Sequence, residues 1–76
     1  MVMTEVTKDH LYEHYKGGRY LVLFIADEST NERIGNKVVV YVSLTFGVVK
    51  CRDESEFIEI VEWPDGSKKQ RFIPVE

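Results

Sequence analysis

The chain of 76 residues carries a single cysteine, two prolines and no excess of positive charge. One thiol, Cys51, allows neither an intrachain disulfide nor a four-cysteine zinc site, and it suits a reducing, cytoplasmic setting. No apolar run approaches the ~20 residues that cross a bilayer. The opening MVMTEVTKDH lacks the basic start and apolar core of a secretory signal, so no membrane partner is expected. Ten basic against thirteen acidic side chains leave a net charge of −3. Binding along a phosphate backbone wants a basic stripe, so nucleic acid is not an expected partner either. The five glycines are too scattered for a phosphate-cradling loop.

What is present belongs to a folded domain. Hydrophobic residues make up 43% and charged residues 30% of the chain, which excludes wholesale disorder. Residues 1–76 are read as one small domain, with 1–10 as a loose N-terminal arm. A chain this short buries only ~60% of its unfolded surface, so its core is marginal. The negative excess is local. DESEFIEIVEW, residues 53–63, holds five acidic groups and no basic one, while the flanking segments are each slightly positive. Such a run is either a solvated face or a patch that meets a basic partner.

Eleven valines and five isoleucines favour strands, since β-branched side chains fit a pleated surface. The pattern predicts strands over 11–16, 20–26, 38–44, 48–52, 57–63 and 68–75, separated by short turn signals. Gly17-Gly18 suits a tight turn with positive φ at both residues. Asp27–Lys37 is polar and ends near Gly35-Asn36, as a long hairpin loop would. Asp53 followed by Glu56 is an acidic capping pattern, which predicts one helical turn at 53–57. Pro64-Asp65-Gly66-Ser67 is a turn. The expected fold is all-β: a small SH3-like barrel of five to six antiparallel strands. The second strand is apolar on both alternating sets, Tyr20, Val22, Phe24, Ala26 and Leu21, Leu23, Ile25. It is therefore buried twice or lies at an interface, which leaves a homodimer open.

One catalytic string occurs, His10-Leu11-Tyr12-Glu13-His14, with the H-x-x-E-H spacing of zinc peptidases of the inverted type. That chemistry needs a helix and a third ligand. On a strand the two histidines share a face but stand ~13 Å apart, too far to chelate one ion. His10 and His14 are at most weak, adventitious metal candidates, and no cofactor is expected. Cys51 lies between Lys50 and Arg52, but strand alternation turns it away from both, so it is expected to be a buried structural cysteine.

The densest polar-aromatic cluster is His14, Tyr15, Lys16, Gly17 and Tyr20, with Arg19 beside it. In a small barrel Tyr41, Arg52, Trp63 and Arg71 converge on it, and together they form a groove suited to stacking and to anion contacts. These residues, H-Y-K-G-x-x-Y at 14–20, Val40-Tyr41, Arg52 with Phe57, Asp65-Gly66 and R-F-I-P at 71–74, resemble the family known as domain of unknown function 1653. The resemblance spans about residues 11–76 and implies a small SH3-like barrel, but no activity. Lys50-Cys51-Arg52-Asp53 departs from its aromatic-valine-arginine-proline run, and the loop at Glu28–Glu32 is longer than in that family. Three readings follow: a non-catalytic module for a small anionic or nucleotide-like ligand or a peptide; a structural or interaction domain docking a basic partner through its acidic segment, 53–62; and a metal-dependent hydrolase.

Overall fold

The computed structural model describes residues 6–75, and within them the chain is almost entirely antiparallel strand. Strands β1 (Leu11–His14), β2 (Arg19–Asp27), β3 (Lys37–Ser43) and β4 (Val49–Asp53) follow as successive hairpins. One helical turn, α1 (Glu54–Phe57), precedes β5 (Ile60–Glu62), β6 (Lys68–Gln70) and β7 (Phe72–Pro74). The larger sheet has the order β4-β3-β2-β1-β7, and β5 and β6 form a two-stranded hairpin. The fold is all-β. The expected last strand is divided at Arg71, whose N–H donates to the Glu59 carbonyl and whose own carbonyl accepts from Tyr15. The chain thus passes from the small hairpin into the large sheet with one residue bonded to each.

The turns follow their residues. Gly17 and Gly18 have φ of +101° and +90°, a region closed to most side chains. The Gly17 N–H donates to the His14 carbonyl and the His14 N–H to the Gly18 carbonyl, which closes the β1–β2 hairpin. Gly66, with φ +86°, plays the same part between β5 and β6. The polar 27–37 segment is a loop around a 3-10 turn at Asn31–Arg33. The helical turn at Glu54–Phe57 forms as expected, although Asp53 does not cap it. Its carboxylate instead accepts from Arg33 and from Asn36 and ties the loop to the end of β4.

The core is a set of large rings. Tyr12, Val22, Val39, Tyr41, Phe57 and Phe72 are all buried. Phe57 of α1 stacks on Phe72 of β7, with centroids 3.9 Å apart and planes at 2°. Tyr41 meets both edge-on, at 5.5 and 5.4 Å. Tyr12 packs edge-on against Phe57 at 5.2 Å.

Three expectations are corrected. The first concerns residues 6–10, which are not a loose arm: Val6 is buried in the core cluster. The Thr7 N–H donates to the Tyr12 hydroxyl, and His10 and Asp9 bond to the backbone of Val22. Residues 1–5 lie outside the described residues. The second concerns β2, which does not keep one alternating set per face. Val22 pairs with Tyr41 and Phe24 with Val40, so Leu23 is the extra residue of a bulge. The inward set is Tyr20, Val22 and Ile25, and Phe24 is 62% exposed. The third concerns Cys51, which is exposed, because it lies opposite Val40 on the outer face of the sheet.

Candidate functional site

A cavity of about 510 Å³ opens between the β1–β2 turn and the β5–β6 turn, within the size range of small-molecule sites. Its wall combines His14, Tyr15, Lys16 and Gly17 from the first turn with Trp63, Pro64, Asp65 and Lys69 from the second, along with Glu13 and Ile73. Each turn supplies one ring with a cation over it. The Lys16 ammonium lies 5.6 Å from the Tyr15 ring centroid, and the Lys69 ammonium lies 4.5 Å from that of Trp63. The Arg71 guanidinium also stands over Tyr15, at 5.8 Å.

Trp63 is fixed by its own polar edge. The indole N–H donates to the Gln70 carbonyl at 2.9 Å, and the ring is otherwise largely buried. Asp65 is turned to its own loop, where it accepts from the Ser67 backbone N–H and hydroxyl. These bonds hold its carboxyl below the usual range.

His14 is the electrostatic centre of the site. Its ring lies 4.7 Å from Tyr15, 4.7 Å from Phe72 and 6.0 Å from Tyr20, and its Nδ1 accepts from the Lys16 N–H at 3.2 Å. Burial lowers its pKa to about 4, with help from the positive charges of Arg52, Arg71, Lys16 and Lys50. The imidazole is therefore neutral at physiological pH. Of the four cations, Arg52 and Arg71 are paired with Glu56 and Glu59, and Lys16 stands in the cavity wall.

Of the nine candidate residues, His14, Tyr15, Lys16, Gly17 and Trp63 line the cavity together. Tyr41 is buried in the core at 3% exposure, and Tyr20 is half-buried against its ring. Those two support the site from behind and do not line it. Arg71 reaches it only over Tyr15, since its Nε donates to the Glu56 carbonyl and its terminal nitrogen pairs with Glu59. Arg52 pairs with Glu56 at 3.7 Å.

Lys69 was missed as a site residue. A hairpin centred on Asp65-Gly66 sets Val61 opposite Lys69, and so places Trp63 and Lys69 on one face. His10 and His14 do not form the helical pair of a zinc peptidase, because Leu11–His14 is a strand. Among the described residues, no group of three or more His, Cys, Asp or Glu side chains is placed to hold a metal ion. No helix among them is long and apolar enough to cross a membrane.

The acidic segment has less free charge than its sequence suggests. Asp53 binds Arg33 and Asn36, Glu54 accepts from the Val6 N–H, Glu56 faces Arg52, and Glu59 faces Arg71. It braces α1 against the strands around it.

The profile of a protein family of unknown function (DUF1653) matches residues 10–74, nearly all of this framework. The chain belongs to the DUF1653 family. The match runs from His10, just before β1, to the last residue of β7, so both turns of the cavity and all seven strands lie within the DUF1653 region. No curated protein and no solved structure matches the chain.

Proposed function

We propose that this DUF1653 protein is a non-catalytic binding module that holds a small, planar, anionic ligand, of the nucleoside monophosphate type, between its two turns. The observation that carries the reading is the presence of two aromatic rings, Tyr15 and Trp63, each beneath a lysine, in the lining of one cavity. A planar group can stack on the half-buried Tyr15 ring, with the largely buried Trp63 closing the wall, while the ammoniums meet its charge. Lys16, in the cavity wall beside His14, and Lys69, over Trp63, supply the positive charge at the same place. The docking of a basic partner through the acidic segment is less well supported, because four of its five carboxylates have partners within the chain.

The test is an NMR titration with a panel of nucleoside monophosphates, the matching uncharged nucleosides, and inorganic phosphate. The monophosphates should shift the Gly17 amide and the Trp63 indole N–H, with the two half-ligands binding more weakly. An exposed ion pair contributes about 0.2–1 kcal/mol, so replacing both Lys16 and Lys69 by alanine should weaken binding by about two- to thirtyfold. A panel that leaves the Trp63 indole unmoved, or shifts that survive the double substitution, would overturn the reading.

A further inference from the structure

The outer face of the large sheet is an apolar surface with no cover. Its residues follow from the register. Leu11, Leu21, Val42 and Val49 form one row across four strands. Phe24, Val40 and Cys51 form a second, and Ala26 and Val38 extend a third that ends on Asp53. Neither of the first two rows contains a charged side chain. Phe24 is 62%, Val49 59% and Leu44 53% exposed, and Cys51 is exposed beside them. The face most enriched in branched aliphatic residues is thus turned to solvent, and monomers rarely leave so contiguous a patch uncovered.

From this surface we infer that the outer face of the β1–β4 sheet is the interface of a homodimer, two copies packing sheet on sheet. Three features favour a second copy as the occupant. A two-fold interface must be complementary to itself, and an uncharged aliphatic face meets itself without repulsion. The rim carries both signs, with Glu13 opposite Arg19 at one end and Asp53, opposite Val38, bonded to Arg33 at the other, which permits pairing across the axis. The patch is also continuous, running in adjacent rows over four neighbouring strands, and a pairing through it falls at the lower size limit of specific interfaces, ~1,200 Å² in total.

The alternative geometry, edge to edge through β4, is disfavoured. Antiparallel pairing centred on Cys51 sets Lys50 directly opposite Arg52 of the other copy, and like charges in that position repel. Face packing at the usual ~10 Å between sheets instead buries Cys51.

Cys51 provides the test. Sedimentation and thiol labelling with Ellman's reagent are run from about 1 to 200 µM protein, a range that brackets the micromolar affinity expected of an interface near the lower size limit. The wild type should become dimeric with rising concentration, and its Cys51 labelling should slow in parallel. Phe24→Asp, at a side chain already mostly in solvent, should stay monomeric and label at one rate throughout, with an unchanged circular dichroism spectrum. A wild type that is monomeric across the range would overturn the inference. So would a dimer whose Cys51 labels freely, or a folded Phe24→Asp protein that still dimerises with Cys51 protected.

Discussion

The two faces of β3 are made from neighbouring residues and have opposite fates. Val39, Tyr41 and Ser43 face inward and are buried. Val38, Val40 and Val42 face outward and are half-buried, although they are the more uniformly hydrophobic set. Reach explains the choice. An 8.9 kDa chain has few residues with which to fill a core, so the inner side needs rings that span the gap to α1 and β7. Tyr41 does this by meeting Phe57 and Phe72 at once. The one polar member, Ser43, is accommodated by its turn, because its hydroxyl accepts from the Phe46 N–H at 3.1 Å. In a domain of this size the volume of individual side chains, and not the count of apolar ones, selects the core face.

The largest effect expected from that contrast comes from Phe72. It is buried, stacks on Phe57, and touches Tyr41, Tyr20 and His14. Phe72→Ala should cost about 3–5 kcal/mol, most of what a domain of this length has in total. Circular dichroism should find it largely unfolded at 25 °C. Val42→Ala, on the outer face, should cost under ~1.5 kcal/mol in dilute urea titrations, and more as protein concentration rises if that face is an interface. Equal costs for the two in dilute solution would make the outer face a second core and dissolve the distinction.

A smaller effect probes the inner face without removing volume. Tyr12 is buried, and its hydroxyl accepts from the Thr7 N–H at 3.0 Å, which helps dock residues 6–10 over the core. Tyr12→Phe keeps the ring contact with Phe57 and leaves the Thr7 N–H without that acceptor. The expected loss is about 1 kcal/mol, with faster amide exchange confined to residues 6–10. Exchange that quickens evenly through all strands would show that the segment is not held by this bond.

Much of this was legible in the residues. The turn at Gly17-Gly18, the turn at Pro64–Ser67, the helical turn after Asp53 and the strand order of the hairpins all depend on local chemistry, and local chemistry is written in short strings. The β2 bulge was not legible. A one-residue insertion at Leu23 flips every later side chain, and an unbroken run of apolar residues gives no sign of where it falls. Cys51 was assigned to the core because strand alternation turns it away from Lys50 and Arg52; the alternation holds, but those two pair with the inward Tyr41 and Val39, and Cys51 pairs with the outward Val40. Within the site, the residues of the first turn can be grouped from the sequence because they are contiguous. Lys69 and the internal partners of the acidic segment depend on contacts between distant residues, which composition does not record. Arg71 was assigned to the groove for its charge, and Glu59 and the Glu56 carbonyl hold most of its donors.

The smallest predicted effect lies at the polar rim of the inner face. His14 titrates at about 4 when folded and near 6.5 when unfolded, because it is partly buried and surrounded by Arg52, Arg71, Lys16 and Lys50. Between those values the unfolded chain binds the proton and the folded chain does not, so stability falls as pH drops from 6.5 towards 4. The ring is still partly in solvent, and screening limits the loss between pH 6.5 and 5 to about 1 kcal/mol at most. Asp27, Glu28 and Asp65, whose folded values are lowered by their hydrogen bonds, act in the same direction, but only below their ordinary values of 3.8 to 4.5. The upper window therefore isolates the histidine. His14→Gln, which keeps an acceptor for the Lys16 N–H, should flatten the decline in urea midpoint there, and a wild-type decline that survives the substitution would place its origin elsewhere. An anion held among the four cations should raise the His14 midpoint back towards 6.5, so the same titration with and without a monophosphate ligand ties the rim's electrostatics to the cavity beside it.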